Sequence, residues 1–295
     1  MTTVDAHEII RSQNFIPKCD FWFAITAVSD SVKQSESTQM VVRRSDVFGD
    51  YINWFDVSAL TPRSIVFCKF DYLQHLVQYL QPKNRKTPFT LLTGQSDYTI
   101  TDSAFDWVRS KIPVSWWGCN NECTRAHGVP LGIADDFCTL TVKSSFEQTK
   151  ANALLYVNHR TETFPGVRKP LYSLFSDKSW ATVRDPMEKG KMEEYRSELL
   201  NHKFILCPRG NGVDTHRMWE ALYCGVIPVV QRHEVHSFLE GKLPILFVNS
   251  YYDVTEELLN KTYTQYRTQN WNTEMLKVSW WLDLMRNTEN DKTGS

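Results

Sequence analysis

Phe204-Ile-Leu-Cys-Pro-Arg-Gly-Asn-Gly-Val-Asp-Thr-His-Arg-Met-Trp-Glu-Ala-Leu-Tyr-Cys-Gly-Val-Ile-Pro-Val-Val230 reads as a strand, a glycine-rich turn, a helix and a second strand. Phe204 to Cys207 and Val226 to Val230 are short apolar runs of strand length, and about one helix's length of chain separates them. Asp214 or Thr215 suits the N-cap of the helix between them, which the pattern extends to Cys224. A strand, a crossover helix and a further strand form a βαβ unit, so the stretch predicts an α/β fold with a parallel sheet.

The same alternation extends outward in both directions. Upstream, strands are predicted at 63–70, 87–93 and 114–117, with helices at 72–80 and 103–112. The pattern restarts around 146–152 and continues with a strand at 153–157 and helices at 169–175 and 187–202. Beyond Val230 come a strand at 245–248 and two closing helices, 255–266 and 273–285. Strand-like stretches at 21–28 and 39–42 precede the first set, and the pattern does not order them. The restart predicts two αβα halves, 1–150 and 151–295, with a ligand cleft between them and the last helix packing back on the N-terminal half.

Composition narrows the function. The 295 residues carry 33 Lys+Arg against 34 Asp+Glu, a formal charge of −1, which offers no long-range field for nucleic acid or an acidic membrane surface. No apolar run approaches the roughly 20 residues of a membrane span, and no signal peptide is recognisable. Seven cysteines form no dense framework, which reads as reduced thiols in a cytoplasmic protein. The glycosylation sequon Asn260-Lys-Thr points the other way, and a chain cut free of an anchor would be lumenal. Glycine is scarce, 12 residues in all, yet Gly210, Gly212 and Gly225 fall within sixteen positions.

That cluster carries the chemistry. The turn Arg209-Gly-Asn-Gly212 leaves backbone N–H groups at the positive end of the helix dipole, where a phosphate is the natural occupant. Arg217 and Glu220, three apart, share one helix face; the Arg can clamp a diphosphate and the Glu can accept both hydroxyls of a ribose. Residue types alone equally allow a plain turn and a surface ion pair. His216 can touch a phosphate or lie on the helix surface.

The segment resembles the C-terminal signature of exostosin-like glycosyltransferases, family 47 of the sequence classification. The matching positions are Pro208, Gly210, Arg217, Trp219-Glu220-Ala221-Leu222, Gly225 and Ile227-Pro228-Val229. Weaker similarities cover Leu91 to Tyr98, Ser115 to Asn120, Val129 to Ala134, and Leu155 to Asn158 followed by Arg168. Gly94-Gln95 and Gly118-Cys119 depart from the family's blocks on the acceptor side, so acceptor identity does not carry over. The chain is most similar to the compact, unanchored members found in algae, bacteria and large algal viruses.

The resemblance implies a GT-B fold, two Rossmann-like αβα domains facing a central cleft. It implies an N-terminal acceptor domain, a C-terminal domain holding a nucleotide-sugar donor, and an inverting transfer to a glycan hydroxyl. A UDP-sugar is the implied donor, with xylose, galactose, glucuronic acid and arabinose as candidate sugars. The donor site is expected to use Arg168, Arg209, Gly210, Asn211, Gly212, Thr215, Arg217 and Glu220. No Asp-x-Asp occurs in the chain, so no metal or other cofactor is expected and arginines with the helix terminus must stabilise the leaving diphosphate.

Inversion needs a base for the acceptor proton, and Asp97 is the first candidate with His127 the second. Asp97 can also be read as a turn or N-cap residue. Trp116 or Trp117, with Asn120, is expected to line the acceptor groove, although core packing is the commoner use of tryptophan. Cys119, Cys123 and His127 lack a fourth ligand and make a weak zinc signal. Two rivals stand beside the enzyme. One is a non-catalytic sugar- or nucleotide-binding partner of another transferase; the other is an ordinary nucleotide-binding α/β enzyme, which the missing Gly-x-Gly-x-x-Gly and Walker motifs disfavour.

Overall fold

A computed structural model describes residues 4–25, 40–44, 49–53, 56–84, 86–137, 151–186 and 191–288. The chain is a mixed α/β protein that divides into two compact units, Arg11–Pro130 with Val278–Ser295, and Leu131–Lys277 with Met1–Ile10. The division falls at Pro130 and Lys277. The expected boundary near 150 lies in 138–150, outside the described residues, and the stretch 131–137 belongs with the second unit.

The unit containing Arg11–Pro130 holds the short helix α1 (Ser12–Phe15) and strands β1 (Phe21–Ile25), β2 (Met40–Arg44), β3 (Gly49–Asn53), β4 (Ile65–Lys69), β5 (Phe89–Gly94), β6 (Val114–Gly118) and β7 (His127–Gly128). Their order is β2-β3-β1-β4-β5-β6-β7. The strands β1, β4, β5, β6 and β7 run parallel, and β2 and β3 add antiparallel strands at the β1 side. β5 is buried along its whole length, as a central parallel strand covered on both faces must be. α2 (Leu73–Leu80) buries Leu73, Leu76, Val77 and Leu80, the i, i+3, i+4, i+7 stripe of a helix lying on a sheet. α3 (Asp102–Arg109) starts where the Thr101 side chain accepts from the Ala104 amide, with Asp102 in its first turn and Arg109 in its last, complementing the helix dipole.

The other unit holds β8 (Ala153–Val157), α4 (Pro165–Phe175), β9 (Ala181–Val183), α5 (Met192–Leu200), β10 (His202–Leu206), α6 (His216–Tyr223), β11 (Ile227–Gln231), β12 (Leu246–Val248) and α7 (Glu256–Tyr266). All five strands are parallel, in the order β12-β11-β10-β8-β9. The chain winds first from β8 to β9 and then returns past β8 to β10. This reversal opens a crevice at the carboxyl ends of β8 and β10, the place where open α/β sheets bind ligands.

One core packs Leu155, Val157, Phe204, Leu206 and Val229 beneath Leu171 and Phe175 of α4 and Leu259 of α7. Each such side chain, fully buried, contributes roughly 1.5–3 kcal/mol. α6 ends at Cys224 and Gly225, whose φ of 70° is the left-handed conformation that a helix stop favours. The closing helix α8 (Val278–Asn287) belongs to the Arg11–Pro130 unit, where Arg286 Nη2 donates to the Lys18 carbonyl at 3.3 Å. The six described cysteines are free and buried. Among the described residues no helix is long and apolar enough to cross a membrane.

Candidate functional site

Two loops flank the crevice, one following Val157 at the end of β8 and one following Leu206 at the end of β10. The Arg168 guanidinium joins them. From α4 its Nη1 donates to the Arg160 carbonyl at 3.1 Å, its Nε to the Arg209 carbonyl at 2.7 Å and its Nη2 to the Pro208 carbonyl at 3.1 Å. Arg168 is buried, and desolvation, with the nearby charge of Arg217, lowers its pKa to about 10. The expected donor-binding arginine is thus committed to backbone, and its role is to hold the turn in shape.

The turn itself is tight. Gly210 N donates to Gly212 O at 2.9 Å, and a Cβ on Gly210 would lie 3.0 Å from Arg168 Nη2, so a larger residue would press on that guanidinium. Arg209 stacks its guanidinium over Phe164, 4.7 Å from the ring centre. Asn211 at the tip is exposed and Gly212 is buried. Thr215, not Asp214, is the N-cap of α6, and its side chain makes no capping bond, which leaves first-turn amides without a side-chain acceptor.

Arg217 stands in that first turn, half-buried, with its Nε buried and unpartnered among the described residues. An orphaned buried donor costs about 1–3 kcal/mol and is tolerated where a ligand supplies the acceptor. Burial disfavours the Arg217 charge, but Tyr195, Cys207 and Glu220 favour it more, and its pKa is raised on balance.

Asp214, His216 and Glu220 hold another part of the same unit. Asp214 Oδ2 accepts from the Leu131 amide at 2.8 Å, His216 Nδ1 donates to the Gly132 carbonyl at 2.7 Å, and Glu220 Oε1 accepts from the Ala134 amide at 3.4 Å. Residues 131–134 therefore run along α6 as a strap. Asp214 also receives Trp219 Nε1 at 2.8 Å, and Glu220 Oε2 receives the Tyr195 hydroxyl at 3.2 Å. Burial raises the Glu220 pKa, partly offset by Arg217 and His216. Glu220, expected to hold a ribose, is buried and has both oxygens engaged by protein.

His159 was missed in the sequence. Its side chain is 0% exposed, its Nε2 lies 3.0 Å from the Arg168 carbonyl, and its Nδ1 is buried without a partner among the described residues. A lone histidine after a strand carries no sequence signal of such burial.

In the Arg11–Pro130 unit the expected residues separate into two groups. Asp97 is exposed, three residues beyond β5. Asn120 is buried, adopts a φ of 52°, and donates from Nδ2 to the Ser96 carbonyl at 3.1 Å, so it ties the loop after β6 to the loop that carries Asp97. Gln95 in that loop also has a positive φ, 55°, a conformation that costs energy for a non-glycine residue and concentrates at functional loops.

The tryptophans require a correction. Trp116 is 1% exposed, donates from Nε1 to Thr93 Oγ1 at 2.9 Å, and packs against Phe70 and Phe105 in the core. Trp117 is 3% exposed and stacks on His127, with ring centres 4.3 Å apart. A central parallel strand is covered on both faces, so alternation along β6 buries both indoles and neither presents a face to a sugar. The exposed aromatic of these loops is Tyr98, beside Asp97 and backed by Phe70 at 5.8 Å. Cys123 donates from Sγ to Asp102 Oδ1 at 3.1 Å.

No protein-family model matches the chain, and no curated protein matches it.

Proposed function

We propose that the chain is an exostosin-like glycosyltransferase that transfers a sugar from a nucleotide diphosphate donor, a UDP-sugar by resemblance, to a glycan hydroxyl. The observation that carries this reading is the unpartnered Nε of Arg217 in the uncapped first turn of α6, next to the glycine turn that Arg168 fixes in place. In this reading the two units are those of a GT-B enzyme.

The diphosphate lies against the α6 terminus and Arg217, which neutralise the charge that grows on the leaving oxygen as the glycosidic bond breaks. The acceptor hydroxyl attacks the anomeric carbon from the opposite side, which inverts it, and Asp97 takes the hydroxyl proton, with His127 the second candidate. No metal enters this scheme. Xylose, galactose, glucuronic acid and arabinose remain the candidate sugars.

Calorimetric titration of UDP with and without chelator tests the donor site. Binding is expected to be unchanged by chelator, and Arg217→Gln is expected to weaken it by about tenfold to a hundredfold, the loss of one charge-assisted contact. A strict need for manganese would sink the metal-free scheme, and undiminished binding by Arg217→Gln would sink the assignment of the site.

A further inference from the structure

We propose that His159 Nδ1 accepts a hydrogen bond from the nucleoside part of the donor, from either a ribose hydroxyl or the imide N–H of the base. This rests on the nucleotide-sugar reading above and adds to it a residue that selects nucleoside diphosphate over bare diphosphate.

His159 lies two residues beyond Val157, at the carboxyl end of β8, on the loop that Arg168 links to Pro208 and Arg209 across the crevice. Tyr172 and Arg168 hold the residue, which is fully buried. Its backbone amide donates to the Tyr172 hydroxyl at 3.1 Å, and its ring meets the Tyr172 ring edge-on with centres 4.8 Å apart. Its Nε2 lies 3.0 Å from the carbonyl oxygen of Arg168.

A carbonyl oxygen can only accept, so Nε2 carries the ring proton. The neutral imidazole then has a lone pair on Nδ1. Burial, with the charges of Arg217 and Arg168 against the bond to the Arg168 carbonyl, pushes the His159 pKa down to about 4, so the neutral form prevails near neutral pH. Nδ1 is therefore a buried acceptor, and the structure gives it nothing to accept from among the described residues.

The complementary orphan is Arg217 Nε, a donor. An ionised phosphate satisfies Arg217 but has no proton to give His159. A ligand that satisfies both must carry anionic oxygens together with an O–H or N–H group, and a nucleoside diphosphate does.

The test is calorimetric titration of the full chain with UDP, with inorganic pyrophosphate, and with the 2′-deoxy, 3′-deoxy and N3-methyl forms of UDP. His159→Phe keeps the aromatic contact with Tyr172, and His159→Gln keeps a polar side chain; thermal unfolding checks that each folds. The expected result is a loss of about tenfold to a hundredfold in UDP affinity with pyrophosphate affinity unchanged. One modified UDP should show the same deficit on the wild-type chain and no further loss on the variant, and its identity tells ribose from base. Equal losses for UDP and pyrophosphate, or no loss for either, would overturn the proposal. So would wild-type protein that binds all the UDP forms alike, a result that stands even if neither variant folds. A wild-type chain that binds pyrophosphate and UDP equally overturns the His159 role alone, whereas one that binds neither overturns the nucleotide-sugar reading with it.

Discussion

Arg168 Nε donates to the carbonyl oxygen of Arg209 at 2.7 Å, so the helix after β8 fixes the loop after β10 through a single guanidinium. Two further carbonyls, of Pro208 and Arg160, complete its fork. Removing one partner from a buried charged network leaves all three acceptors unsatisfied. Arg168→Ala is expected to cost at least about 3 kcal/mol, which is roughly 6–12 °C in the melting temperature of a unit this size. Arg168→Lys should recover little, because one ammonium cannot reach three carbonyls in a plane. Thermal unfolding checks both, and a lysine variant as stable as wild type would contradict the bridging role.

The buried histidines set an acid limit on stability. His159 falls from its ordinary 6.5 to about 4, and His202 and His236 shift the same way, each chiefly because burial penalises the charged ring. Between these two values the unfolded chain binds a proton at His159 that the folded chain does not, so stability is full above about pH 6.5 and declines as the pH falls towards 4. The His159 share is about 3 kcal/mol. Denaturant titration at pH 7, 6, 5 and 4 should show this slope, and His159→Phe should flatten it; an unchanged slope in that variant would place the effect elsewhere.

Trp116→Ala tests whether the indole is a core group or part of an acceptor groove. A core indole replaced by alanine should lose about 3–5 kcal/mol. If the residue lay in a groove instead, the variant would melt normally and lose only acceptor affinity. Melting temperature and acceptor KM, measured on the same preparation, separate the two.

Asp97 is exposed, so Asp97→Asn should leave the fold and UDP affinity unchanged while abolishing sugar transfer. Single-turnover assays with a donor found by nucleotide-sugar screening measure the step directly. Full turnover by the variant would move the base to His127 or another group.

Most of the longer helices and the central strands were legible because their apolar spacing is a local property, whereas the expected helix 273–285 is a 3-10 helix at Thr273–Leu276 followed by α8. Leu73, Leu76, Val77 and Leu80 form the buried stripe of α2, and β8 occupies the predicted 153–157. β9, three half-buried residues at the sheet edge, has no apolar run to announce it, and β7 is only two residues long. The turn and Arg217 were legible for the same local reason. Glu220 was legible only as a carboxylate on the helix after the turn; its engagement with Ala134 lies 86 positions away in the chain, and no local pattern encodes that. Trp116 and Trp117 were misplaced because adjacent residues on a strand point to opposite faces, and composition does not reveal that both faces are covered.

The segment ending at Ile10 belongs to the unit completed at Lys277: Ile9 bridges to Lys277, and the Ile10 amide donates to the Tyr223 hydroxyl at 2.7 Å. The unit's earliest strand of backbone must wait for its latest. During synthesis on the ribosome, neither unit can close until translation has passed residue 277, since the other waits for the helix that begins at Val278. A fragment cut at 151 would lack both the Ile9–Ile10 pairing and the 131–134 strap, and would leave Asp214 and Glu220 without the Leu131 and Ala134 amides.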